Sequence, residues 1–288
     1  MSATVTDAVA ISSVQFYLDG RPLGTPVTQA PYAVSWNTRE VPNGPHTLTA
    51  AATDAANNIG YAAPVEVTVE NPLQKPPCFV VDATASAEGS TRVTAPPITT
   101  GEAGEQLFAF VSADGPAGAG QQAATISGGG VAWRLLARAN SQPGDAEIWT
   151  AQAHKPLKRK RIKSTLTSRR YDQLLTVIAV QMSNGAGASA SAGAASGTPA
   201  VSMLTSEEGS LVYGVGSDWS GAAPRSPGVN QVLLHEQLDA RSGKTFWSQY
   251  LGEISGPAGE VVTLNDTAPN GDRWNMASVE IRGDGPGN

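Results

Sequence analysis

Residues 12–20 read SSVQFYLDG. Val14, Phe16 and Leu18 recur at every second position, the period of a β-strand with one buried face. The run ends in Asp19-Gly20, a hairpin-turning pair because Gly takes positive φ without steric cost. The same pattern continues outward. Val34 and Trp36 share a face in YAVSWNT (32–38), as do Val65, Val67 and Val69 in APVEVTVEN (63–71), with HTLTAAATD (46–54) between them. Short alternating runs at this spacing predict a β-sandwich over residues 1–71.

The pattern breaks at ENPLQKPPCF (70–79), whose three prolines and lack of period predict an extended linker, placed at 72–78. Beyond it, strand candidates recur about every ten residues, among them EQLFAFVSA (105–113), DAEIWTAQA (145–153) and YDQLLTVIAVQM (171–182). Eleven such runs predict one larger antiparallel sandwich over 79–283, with a short tail at 284–288. The Thr, Val and Ile of DQLLTVIAV mark a central strand rather than a helix. The tract NGAGASASAGAASG (184–197) reads as a loop or a small-residue strand.

Composition agrees with an all-β chain. Of 288 residues 40% are apolar and only 15% charged, with 31 Gly and 20 Pro. The single cysteine, Cys78, excludes an internal disulfide framework and a Cys-based zinc site. No run approaches the ~18 apolar residues of a membrane-spanning helix. No signal peptide opens the chain, and MSATVTDAV already alternates, so the sequence reads as a fragment of a larger protein.

Two resemblances follow. VQFYLDGRPLGTPVTQAPYAVSWNT with PNGPHTLTAAATDAANNIG resembles the bacterial Ig-like modules that repeat in secreted and surface proteins, over residues 2–71. The usual first strand of such modules is missing, and TDAVAI (6–11) stands in place of their Asn-Val-Gly turn. GGGVAWRLLARANSQPGDAEIWTA (128–151), SLVYGVGSDW (210–219), FWSQYL (246–251) and LNDTAPNGDRWNMASVEI (264–281) resemble a module found beside Ig-like domains in large bacterial extracellular proteins. That resemblance implies an extracellular or cell-surface setting and no particular activity, while the eleven short strands suggest a jelly-roll, concanavalin-like antiparallel sandwich.

The formal net charge is −6, yet KPLKRKRIKSTLTSRR (155–170) holds eight Lys or Arg in sixteen positions. Without those eight, residues 78–288 carry 8 basic against 19 acidic side chains, so the run is a local anomaly. As a strand, it turns Ile162 and Leu166 to the core and leaves Arg159, Arg161 and Lys163 as a ladder in water, with Arg169 and Arg170 in the following turn. Three readings compete: a solvated strand whose cations discourage edge pairing, a patch for a polyanion, and an engineered insertion. Nucleic acid is not expected as partner, since Tyr171 is the sole aromatic close in sequence to stack a base.

Other chemistry is sparse. HExxH, GxSxG and phosphate-cradling glycine motifs are missing, and AEIWTAQ offers Glu147 alone where lectin-like glycosidases carry a carboxylate set. His46 reads as structural, and His154 and His235 lack a catalytic setting. Trp133, Trp149 and Trp247 lie in strand patterns and read as core. Trp219 opens a Gly/Pro/Ser loop beside Asp218, making this pair the sugar-site candidate. TDAANN (Asp54, Asn57, Asn58) and LNDTAPNGD (Asn265, Asp266, Asn270, Asp272) are oxygen-rich enough for calcium but read first as turns. No cofactor is expected. The combined expectation is a non-catalytic segment that binds a glycan or another surface polymer. The alternatives are a purely structural stalk and an accessory domain of an extracellular hydrolase.

Overall fold

A computed structural model describes residues 1–6, 10–38, 41–42, 44–70 and 79–283. The Pro-rich linker 72–78 with Cys78, and the tail 284–288, lie outside the described residues. The chain separates into two compact units, Met1–Gln74 and Lys75–Asn288. The expectation of an all-β protein holds: the elements named among the described residues are strands, gathered in antiparallel sheets.

In the first unit, β1 (Ile11–Leu18) pairs with β2 (Arg21–Val27) and with β3 (Gly44–Asp54), while β4 (Ile59–Tyr61) and β5 (Val65–Val69) both pair with β3. Asp19 and Gly20 both take left-handed φ, 49° and 77°, which closes the predicted hairpin. Val14 and Phe16 are buried with Ala50 against Val34 and other half-buried side chains. The expected strand at 32–38 is instead an extended segment held by one bridge, Ser2 to Ala33. Its partner is the three-residue stretch at the chain start, through Ala3 N–H to Tyr32 O and Val34 N–H to Met1 O, both 3.0 Å.

The second unit differs from the single sandwich expected for it. Its first eight strands are β6 (Val80–Ser90), β7 (Arg92–Thr94), β8 (Glu105–Ala113), β9 (Ala124–Gly128), β10 (Arg134–Ala139), β11 (Asp145–Ala153), β12 (Ile162–Leu166) and β13 (Asp172–Gln181). They form a five-stranded sheet, β10-β11-β8-β13-β6, and a three-stranded sheet, β7-β12-β9. The next eight are β14 (Ser183–Ala194), β15 (Ala200–Leu204), β16 (Leu211–Asp218), β17 (Ser226–Pro227), β18 (Gln231–Asp239), β19 (Lys244–Leu251), β20 (Val261–Ala268) and β21 (Trp274–Gly283). Their sheets run β18-β19-β16-β21-β14 and β15-β20-β17, the same order position by position. The unit is therefore one eight-stranded motif built twice. Registers agree as well: Ala113 lies opposite Asp145 and Gln173, and Asp218 opposite Thr245 and Trp274.

Three cores stack the copies into four layers. The first lies between the two sheets of copy one and holds Leu107, Ile126, Ile162 and Leu175. The second joins the two five-stranded sheets, bringing Phe108, Phe110 and Ile148 against Tyr213, Val215 and Val279. The third fills copy two with Leu264, Met276 and Val262. The small-residue tract is a strand, β14. Gly187 is required there: a Cβ would stand 2.2 Å from Glu280 Oε2, whose carboxylate accepts Ala188 N–H at 2.8 Å and Ser206 Oγ–H at 2.7 Å.

Candidate functional site

Strand β12 carries the middle of the basic run, and it is the central strand of its sheet, flanked by β7 and β9. Lys163, on a central strand, does not guard an edge of this sheet. Ile162 and Leu166 face the core as expected, joined by Ser164, whose hydroxyl donates to Gln173 Oε1 at 2.6 Å. Lys163 points outward, in register with Thr94 on one side and Ser127 on the other; Thr165 lies between Arg92 and Thr125. The three strands contain no Asp or Glu. All eight Lys and Arg of 155–170 are exposed, and none forms an ion pair with another described residue.

The predicted ladder is shorter than expected. Only Lys163 belongs to β12; Arg161 precedes it, and Arg159 turns off with φ 49° and donates its N–H to Thr99 Oγ1. The cause is the stretch 157–160, which pairs with 98–100 instead of extending β12. Arg169 and Arg170 sit in the turn as predicted. That turn is tied to Thr91 by Arg170 N–H to Thr91 Oγ1 (2.7 Å) and Leu166 N–H to Thr91 O (2.8 Å), which sets it beside Arg92. Arg92 is a cation of this face that the sequence hid: it lies about seventy residues upstream in STRVTAPP, and pairing alone brings it in.

The second copy supplies an internal comparison. The outward face of β15-β20-β17 presents Ser202 and Thr263, hydroxyls 2.7 Å apart, with Leu204 and Val261 exposed beside them. The same sheet thus folds without cations, and the charge on copy one is no requirement of the architecture.

Asp218 and Trp219 do not form the solvent-facing pair expected of a sugar site. Asp218 is 1% exposed, ends β16 and faces the interior of copy two, where it is ion-paired with the equally buried Arg225. Trp219 is half-buried: its Nε1–H donates to Asp114 Oδ1 at 2.8 Å, and the Lys244 ammonium lies 4.2 Å from the ring centroid. A stacking sugar would have to displace that ammonium.

Around Arg225 the interior gathers Trp247, whose ring is 4.6 Å from the guanidinium, Asp272 at 3.4 Å and Glu236, which accepts the Arg225 N–H at 2.6 Å. Burial pushes the nearby Asp266 carboxyl up to about 7, despite the opposing pull of Arg225. In copy one, Glu147 is wholly buried and accepts from Arg138 Nε (2.5 Å), Trp149 Nε1 (2.5 Å) and Ala124 N (3.0 Å). Burial and then the charge of Glu147 hold the Asp145 carboxyl well above the usual range. The carboxylates of both groups, Asp145, Glu147, Asp218 and Asp266, are buried.

The remaining candidates resolve into structure. Asp54 accepts from Ala56 N, Asn58 N and Asn58 Nδ2 at 2.7–2.8 Å, and Asn57 is left-handed, so TDAANN is an Asx-type turn. Asp266 and Asp272 of LNDTAPNGD turn toward Arg225 rather than toward a shared cation position. His46 bridges Asp19 (2.6 Å) and Pro42 O (2.8 Å). Trp247 and Trp274 are buried, whereas Trp133 and Trp149 are half-buried against the first core.

A family model described as a bacterial Ig domain matches residues 1–50, ending within β3. The N-terminal unit is accordingly Ig-like. No curated protein matches the chain.

Proposed function

We propose that this chain is a non-catalytic segment of a bacterial secreted or cell-surface protein, in which the Ig-like unit acts as spacer and the larger unit binds an anionic surface polymer. The larger unit is read as a pair of jelly-roll-like sandwiches, a reading supported by the 1-8-3-6 and 2-7-4 strand neighbours that each copy contains. One observation carries the binding assignment: Arg92, Arg159, Arg161, Lys163, Arg169 and Arg170 cluster about a central strand whose sheet contains no carboxylate, while the strands of its counterpart in the same chain carry no Lys or Arg. Such a field attracts polyanions and weakens steeply with salt. Lys163 is flanked by Thr94 and Ser127, whose hydroxyls can donate to sulfate, phosphate or carboxylate groups along a polysaccharide.

The test is a salt gradient on a heparin column. The whole chain should be retained beyond about 0.15 M salt. A variant with Arg92, Arg159, Arg161, Lys163, Arg169 and Arg170 changed to Ser or Thr should flow through while unfolding at the same temperature. Flow-through of both proteins would remove the polymer reading and leave the larger unit as a structural stalk.

A further inference from the structure

Beside the cationic face, the end of copy one holds a cavity of about 630 Å3. Gly129 and Gly130 form one wall; Gln152, His154, Lys155 and Lys160 stand on the other, and no Asp or Glu lines it. Among the described residues, neither His154, Lys155 nor Lys160 has an ion-pair or side-chain hydrogen-bond partner. We propose that this cavity is a pocket for a single anionic sugar group, a phosphate or sulfate monoester on a pyranose, at the end of a bound polymer.

Three features of the molecule support it. The wall bearing the cations is rigid: Lys160 and Ile98 exchange both backbone hydrogen bonds (2.9 and 2.8 Å), Leu157 N–H reaches Thr100 Oγ1 (2.9 Å), and Leu157 itself is buried. Held backbone spares a ligand the entropy of ordering its site. On the facing wall, Gly129 and Gly130 have no side chains to fill the space. Gly128 begins it because a Cβ there would lie 2.3 Å from Arg161 O, and three left-handed glycines in a row (φ 100°, 76° and 75°) leave the rim bare. The volume exceeds what a bare ion needs and falls within the ~300–1,000 Å3 of sites for small organic ligands; Val131, Pro156 and Leu157 add an apolar wall for ring carbons.

The second copy again differs. At its matching corner Gly252 N–H donates to Asn230 O (2.6 Å), Asn230 Nδ2–H donates to Glu253 Oε1 (3.0 Å), and the acid replaces the cations. An open basic corner is thus peculiar to copy one.

The pocket rests on the polymer-binding reading only for its choice of a sugar, and the experiment separates the two. Calorimetry on the full chain would use glucose 6-phosphate, glucose 6-sulfate, inorganic phosphate and glucose. At least one ester should bind, glucose should not, and Lys155→Ala with Lys160→Ala should weaken the ester by about tenfold or more. The difference between the two esters tells which anion the pocket takes. Heparin retention should persist in this double variant, because Arg92, Arg161 and Lys163 remain. Silence from both esters, or equal binding by the double variant, overturns the pocket even if heparin retention stands. Inorganic phosphate binding as tightly as the ester overturns the sugar assignment. Loss of heparin retention by the unaltered chain instead overturns the polymer reading.

Discussion

Asp266 condenses the residue-scale physics of this protein. It is 1% exposed in copy two, and burial raises its carboxyl to about 7 although Arg225 pulls the other way. The fold therefore binds this proton more tightly than the unfolded chain, whose value is near 3.8. Stability from this group is full below pH ~4 and is lost as pH rises through 7. Asp266→Asn keeps the shape and removes the titration. Urea unfolding should show the variant more stable than the parent at pH 8, by about 4 kcal/mol at most, with a flatter slope between pH 4 and 7. Parallel pH curves for the two proteins would refute the assignment. Its neighbour Asp218 looked, in GSDWSG, like a loop-edge carboxylate. It closes a strand on the inward-facing phase, and Arg225 seven residues on is what allows its burial.

At the scale of elements, the pairing of β9 with β12 decides the cationic face. Gly128 lies opposite Ile162, with its Cα so close to the Arg161 carbonyl that a methyl group would overlap it at 2.3 Å. Gly128→Ala also forces a non-glycine residue to φ 100°. We expect a loss of at least about 2 kcal/mol in denaturant unfolding, and faster amide exchange along β12 than along β13. A stability unchanged within error would mean that the outer sheet tolerates separation there. The letters of the basic run carry only part of this element's placement. Period-two alternation placed Ile162 and Leu166 inward correctly, but nothing within 155–170 states that β7 and β9 flank it on both sides.

At the scale of the whole molecule, the second unit is held by the core between its two five-stranded sheets. Phe108, Phe110, Ile148 and Ile178 from copy one are each 0–1% exposed because copy two covers them. A single copy, residues 79–181, would present that apolar sheet to water, a patch of a size that drives association. We expect this half-chain to self-associate in size-exclusion chromatography, whereas residues 79–288 run as a monomeric species with one cooperative melt. A monomeric, cooperatively melting half-chain would show that each copy is stable by itself.

The sequence alone determined the class of structure: a period of two at Val14, Phe16 and Leu18, left-handed turn chemistry at Asp19-Gly20, and β-branched runs such as DQLLTVIAV are local physics, fixed by the pleat and by backbone sterics. It also isolated the basic run, because charge density is a property of composition. The duplication was not legible, since the copies share strand order and register while their side chains diverge, Ala113 against Asp218 and Glu147 against Trp247. The candidate surface was legible only in part: Arg159, Arg161, Lys163, Arg169 and Arg170 are contiguous, but Arg92 and the carboxylate-free setting come from strands far away in the chain. Whether a charge faces water, a partner strand or a buried arginine depends on which segments pair, and hydrogen-bonded pairing between distant strands leaves no mark within either one.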